Sequence, residues 1–507
     1  MNQVIRSLGA LCLGGAALVG CANSEPGAVT NDVESASSAT ADTVKLRFVH
    51  GSPTSPALDI YLGASTTPTW TSVAFSSATP YLRVPVAGLQ LVLRTAGAAA
   101  TDAPLYTSDV IVAQPGTQVT SIAGGLLGST AATTAFRVQA YTEAFARAER
   151  GDAVVRFIQE SFGLAATGFD IGADGTVEVP GVPAFTASDA AGVTVAPSFR
   201  RVQVGITDAT ATQLTAFTLP RDVLAQRGGI FLALVGVPSF VPHDPRGLAL
   251  LAIGPETTTL IRQNPTLYVL PAIPDSTGID VLAFGLGLRG DRIATNLGFG
   301  VLSPAAQVAP SEFGYGLIVT KAATETSSFG WPLAFESTGP LIAGERYLAV
   351  ASGFETPTCT DVQCDTGRSR VRVTVLKDGF DRTVAATGRM RAVAAAADAP
   401  AVDFGQFAPG SAALFNVTPG LTDIAYPDAS AEAGASVTAS PLNPGVRVTG
   451  MTDTLRFKFA ALLGTDRIFG IVAGAFAPVT GDIQSRFIVV KTPASGTWTA
   501  QTLSPQL

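Results

Sequence analysis

Charge is scarce in this chain. Asp, Glu, Lys and Arg make up 14% of its 507 residues, against about a quarter in an ordinary soluble domain. The basic side chains form no cluster and the net charge is −7, so the electrostatic footprint of a nucleic-acid binder is missing and no nucleic-acid partner is expected. Histidine is scarcer still, with only His50 and His243. No His-Glu-x-x-His helix and no Gly-x-Ser-x-Gly elbow occurs, which removes the commonest zinc-protease and serine-hydrolase designs. The three tryptophans, Trp70, Trp331 and Trp498, are too scattered for one extended sugar-stacking platform. Of four cysteines, Cys12 and Cys21 lie in the first 21 residues, leaving Cys359 and Cys364 in "TPTCTDVQCDTG". A zinc site needs four ligands, and the histidines are remote from this pair. Neither a metal nor another cofactor is expected.

What is present begins at the amino terminus. After Arg6 an apolar run from Leu8 to Leu18 ends in "LVGC", too short to span a bilayer and laid out like an export signal. The tetrapeptide resembles the lipobox of bacterial lipoproteins, which implies cleavage after residue 20 and lipidation of Cys21. Ala22 follows, where the resemblance implies inner-membrane retention for an aspartate, so an outer-membrane location is expected. Two or three acyl chains anchor a protein without a transmembrane helix. Residues 22–43 are small, polar and free of aromatics, the composition of a flexible tether. In an exported chain, Cys359 and Cys364 are expected to form a local disulfide, contributing about 2 kcal/mol for so small a ring.

Beyond the tether the chain repeats itself. "LRFVHGSPTSPALDIYLG", aligned on Asp59, finds related stretches ending near Asp170, Asp280 and Asp403, with two extra residues in the second. A second signature, a turn residue followed by a large and then a small apolar residue, recurs in step at Gly116-Val119-Ala123, Gly228-Phe231-Val235, Gly344-Tyr347-Ala351 and Asp466-Phe469-Ala473. Each copy reads as short strands separated by Gly, Pro, Asn and Asp turns. In "TVKLRFVH", Val44, Leu46 and Phe48 share one face and Lys45 and Arg47 the other, as in a half-buried strand. The expected class is all-β: immunoglobulin-like β-sandwiches in series. Their expected spans are 44–150, 151–264, 265–387 and 388–507, after the signal (1–20) and the tether (21–43).

Arg47 to Gly63 resembles the hallmark of domain-of-unknown-function family 4397, bacterial exported proteins whose domains open with a strand, a His-Ala-Ser-Pro-Asp-Ala-Pro type segment and Val-Asp-Val-Tyr. "DAPAVDF" in the fourth copy keeps the second half of that pattern. The resemblance implies a β-sandwich at the cell envelope and supplies no activity.

His50 stands nine residues before Asp59 and invites a catalytic reading. Its equivalents are Gln159, Pro271 and Ala394, and neither proline nor alanine can serve as a general base. His50 is therefore expected at the rim of a core, hydrogen-bonded. The aspartates Asp59, Asp170, Asp280 and Asp403 follow turn residues and precede apolar ones, so they are expected to accept N–H groups from the preceding turn and fix the start of a strand. Calcium is the alternative they raise. "DIGADG" (Asp170 to Gly175) has Gly172 and Gly181 where a calcium loop needs its third and twelfth ligands, so Asp174 and Gly175 read as a hairpin turn. "GLGLRG" spells a dinucleotide pattern with no helix after it, and Arg289-Gly290-Asp291, an integrin-loop look-alike, reads as a charged β-turn. The expectation is a non-enzymatic, lipid-anchored envelope protein acting by binding, adhesion or scaffolding on an unknown envelope or extracellular ligand. The alternative is an envelope hydrolase with an unrecognised acidic site.

Overall fold

The computed structural model describes residues 42–149, 152–196, 202–225, 228–285, 288–322, 332–358, 368–383, 387–407, 415–437, 444–452, 454–457 and 466–506. Eight strands build the first repeat: β1 (Thr43–His50), β2 (Leu58–Leu62), β3 (Trp70–Val73), β4 (Leu82–Pro85), β5 (Leu91–Thr95), β6 (Tyr106–Thr107), β7 (Gln118–Gly124) and β8 (Arg137–Thr142). They form two sheets, β4-β1-β7-β8 and β3-β2-β5-β6. Within the first, β1 runs parallel to β7, with Lys45 opposite Gln118 and His50 opposite Ala123. Alternation along the strands turns Leu46 and Phe48 of β1, Leu58 and Ile60 of β2, and Leu91 and Leu93 of β5 into one core.

Three more sandwiches follow this plan, as the expected all-β class requires. The parallel pair returns as Ala153–Gln159 with Gly229–Val235, Thr266–Ala272 with Arg346–Ser352, and Gly388–Ala394 with Arg467–Ala473. The counterparts of β2 are Thr167–Ile171, Ile279–Gly285 and Val402–Phe407, each in the facing sheet. The second and fourth sandwiches add one strand beyond the β8 counterpart, Thr258–Arg262 and Thr499–Leu503.

The sandwiches are not beads in series. Alternation assigns Arg47 to water, yet it is 3% exposed and Val49 is wholly buried. The outer face of β1, β7 and β8 packs on the second sandwich through Val49, Ile122, Tyr141, Ile158, Phe231 and Leu251. Sandwiches three and four meet in the same way through Leu270, Val350, Phe469, Ile488 and Trp498. Each pair is thus four sheets deep with three apolar interiors, and Asp42–Leu507 form one compact unit. A sheet covered on both faces needs no polar alternation, which accounts for unbroken runs such as GIFLALV, ALLAI and RYLAVAS.

Candidate functional site

The recurring aspartates hold backbone, and not in the way expected. The carboxylate of Asp59 on β2 accepts the N–H groups of Ser72 and Gly97, both at 2.8 Å. Neither donor precedes it. Leu58 faces Val73 and Ile60 faces Trp70, so two residues of β3 stand against Asp59 in a bulge, and Ser72 takes φ +52°. The aspartate tethers this left-handed residue. Asp280 holds Asn296 (φ +46°, 2.7 Å) and Asp403 holds Asp423 (φ +53°, 3.0 Å) in the same fashion. Burial alone would raise the pKa of Asp403, but the N–H of Asp423, the hydroxyl of Thr449 and Arg447 bring it below the usual carboxylate range.

The second sandwich departs from the rule and explains it. Its bulge residue is Gly181 (φ +61°), and the residue opposite is Gly168, not Asp170. A left-handed conformation costs an ordinary residue about 1–2 kcal/mol and glycine almost nothing. Where the bulge carries Ser, Asn or Asp an aspartate faces it; where it carries glycine none does. Asp170, two residues further on, gathers the N–H groups of Asp174 (3.2 Å) and Gly175 (2.8 Å) into a tight turn. Counting nine residues from Gln159, without the two-residue insertion, lands on Gly168. Among the described residues no three His, Cys, Asp or Glu are placed to share a metal ion.

His50 ends β1 fully buried. Its Nε2 lies 3.0 Å from the Pro56 carbonyl and 3.2 Å from the Ser55 hydroxyl, and burial lowers its pKa, so the neutral ring donates to Pro56. It belongs to the sheet opposite that of Asp59 and forms no dyad with it. His243 approaches Glu345 of the third sandwich at 3.6 Å. Arg289, Gly290 and Asp291 lie within the strand Leu288–Leu297, antiparallel to Ile279–Gly285; the tripeptide is strand rather than turn, and a strand stands where a nucleotide fold would place a helix. Cys21, Cys359, Cys364 and Trp331 lie outside the described residues.

What the sequence reading missed is the pairing device. Phe145, three residues beyond β8, lies 4.9 Å from the ring of Phe231 in the second sandwich; Phe380, three beyond Lys377, lies 5.1 Å from Phe469 in the fourth. Arg156 donates through Nη1 to the Thr142 carbonyl and through Nε to that of Ser188. Arg391 repeats both bonds, to Lys377 and Ser430. Each arginine therefore ties the last strand of one sandwich to an edge of the next. The signal is an acid-x-Phe triplet with arginine eleven residues after the phenylalanine, and its two occurrences are 235 residues apart (380 − 145 and 391 − 156). The larger repeating unit is a pair of sandwiches.

At the first junction a cleft of about 530 Å³ opens between residues 76–81 and the 254–258 hairpin. Arg47 forms its floor. Its Nε donates to Thr120 at 2.8 Å, Nη1 to the Gly254 carbonyl at 2.6 Å, and Nη2 approaches Glu143 at 3.5 Å. Its guanidinium stands 4.6 Å from the centre of the Tyr81 ring, whose hydroxyl donates to Glu143 at 2.6 Å. Burial lowers the pKa of Arg47 and raises that of Tyr81, leaving a cation on a neutral phenol. Ser76, Ser77, Thr79 and Thr258 add hydroxyls to the walls. Such a set can hold a polar ligand by hydrogen bonds. Deeper in the junction Glu160 is enclosed, accepts the Tyr141 hydroxyl at 2.7 Å, and is pushed up to about 8 by burial.

Residues 44–167 match the model of a family described as "Domain of unknown function (DUF4397)". The first sandwich carries the DUF4397 signature. The DUF4397 segment starts in β1 and ends at Thr167, the first residue of the β2 counterpart in the second sandwich. It therefore spans the whole first sandwich and the Ala153–Gln159 strand beyond it, including Arg47, Tyr81, Glu143 and Glu160. It covers about a quarter of the chain. No curated protein matches the chain.

Proposed function

We propose that this chain is a non-enzymatic, lipid-anchored protein of the bacterial cell envelope, held at the outer membrane through Cys21, whose paired sandwiches bind or scaffold an envelope or extracellular ligand. The observation that carries the reading is how the polar side chains are used. Asp59, Asp280 and Asp403 each hold a bulge, His50 a loop carbonyl, and Arg156 and Arg391 the joints between sandwiches. These groups serve cohesion. A glycosidase instead needs two carboxyls converging within about 5–10 Å, and the three bulge-holding aspartates are each engaged in a separate sandwich. The "LVGC" tetrapeptide supports the anchor.

Cys21→Ser tests the anchor. The variant is expected in the soluble fraction after cell breakage, and its retention in membranes would overturn the lipid attachment. Protease treatment of intact cells, followed with an antibody to the last sandwich, tells which side of the membrane the sandwiches face.

A further inference from the structure

The two junctions are built alike but filled differently. At the second, Tyr268 and Trp498 stack with ring centres 4.5 Å apart and planes 9° from parallel, and Leu302 packs beside them. Strand register identifies their counterparts at the first. Arg47 stands where Tyr268 does, opposite Thr120 as Tyr268 is opposite Leu348. Thr258 faces Ile253, which faces Phe231, just as Ala500 faces Val490, which faces Phe469. Two residues earlier on the same face, Glu256 therefore replaces Trp498. Thr79 and Ser303 give the same hydroxyl to the same strand position, so Ala78 replaces Leu302. An aromatic stack has become a guanidinium and a carboxylate, and the space that the indole fills at one junction is the cleft at the other.

We propose that this cleft binds a neutral sugar ring of an envelope or extracellular polysaccharide, an assignment that rests on the binding function proposed above. The second junction demonstrates that a flat ring fits between the strand face and the hairpin. Three of the five N–H bonds of Arg47 are used by the protein, leaving two for a ligand, with Glu256 as acceptor at the mouth. Sugar hydroxyls both donate and accept, and Tyr81, Pro80 and Pro255 offer flat apolar surface for the C–H face of a pyranose. Glu143 already balances Arg47 and Glu256 adds negative charge, which disfavours an acidic ligand. The volume lies within the range of about 300–1,000 Å³ common for small-ligand sites.

The test uses the full chain in detergent with cellobiose and diacetylchitobiose as probes, followed by saturation-transfer NMR and titration calorimetry. Saturation should reach the ring protons of at least one probe. Glu256→Trp, which places an indole where the second junction has one, should weaken that binding by about tenfold or more with a thermal midpoint no lower than that of the parent, since the exposed Glu256 is not part of the core; Glu256→Gln, keeping the size, should weaken it less. Absence of transfer to both probes, undiminished binding by Glu256→Trp, or tighter binding of a glucuronate disaccharide would overturn the assignment. None of these bears on membrane release of Cys21→Ser, so the cleft can fail while the envelope reading stands, and the reverse.

Discussion

Glu160→Gln should remove a pH dependence from the joint between the first two sandwiches. Glu160 is 1% exposed; one oxygen accepts the Tyr141 hydroxyl, and the other lies against Gly124 with no hydrogen-bond partner. Burial is the main influence raising its pKa to about 8, opposed by the Tyr141 bond and Arg137. In an unfolded chain glutamate titrates near ~4.3. Between about pH 4.5 and 8 the folded joint holds a proton that the opened chain releases, so stability falls as pH rises. The slope approaches ~1.4 kcal/mol per pH unit, or about 5 kcal/mol over the whole window. Below that window the contribution is complete and flat; above it the loss is complete. Glutamine keeps the shape and cannot ionise. Amide protection factors in Arg137–Thr142 and Ala153–Gln159, followed from pH 5 to about 8.5 in both proteins, measure the effect. Parallel pH slopes for the two would refute the reasoning.

Asp59→Ala should destabilise the first sandwich by about 1–3 kcal/mol through loss of the bonds that its carboxylate accepts from the Ser72 and Gly97 N–H groups, and adding Ser72→Gly should recover some of the loss; thermal melts without any recovery would sever aspartate from bulge. Phe380→Ala should cost about 3–5 kcal/mol and loosen the third sandwich from the fourth, visible as a larger radius of gyration in solution scattering; an unchanged radius and midpoint would deny Phe380 its role. Cys21→Ser and Glu256→Trp carry the predictions given with the anchor and the cleft.

The all-β class was legible because turn residues and period-two alternation are local signals. The doubled sheets were less so, since Arg47 reads as a solvent-facing residue until a second sandwich covers it. Burial of Arg47 depends on Thr120, Glu143 and Gly254, up to 207 residues away, and no local pattern announces such partners. Aligning on aspartate misplaced the second copy because the chemistry of the position is shared between two strands. Once the bulge is Gly181, the need for an acid opposite it lapses, and Asp170 offers a nearby decoy. The acid-x-Phe and arginine spacing was visible in the letters, but only the contacts give it meaning.

The parallel run of β1 beside β7 also decides how the chain bears a pull. β1 directly follows the segment that leads back to Cys21. Tension arriving from that side draws β1 along its own axis, and six registered positions, from Lys45 with Gln118 to His50 with Ala123, resist together in shear. On its other flank β4 clasps Thr43 to Leu46 from the opposite direction. A hairpin loaded at its open end would unzip rung by rung; here the strand that a tug reaches first must break its rungs all at once.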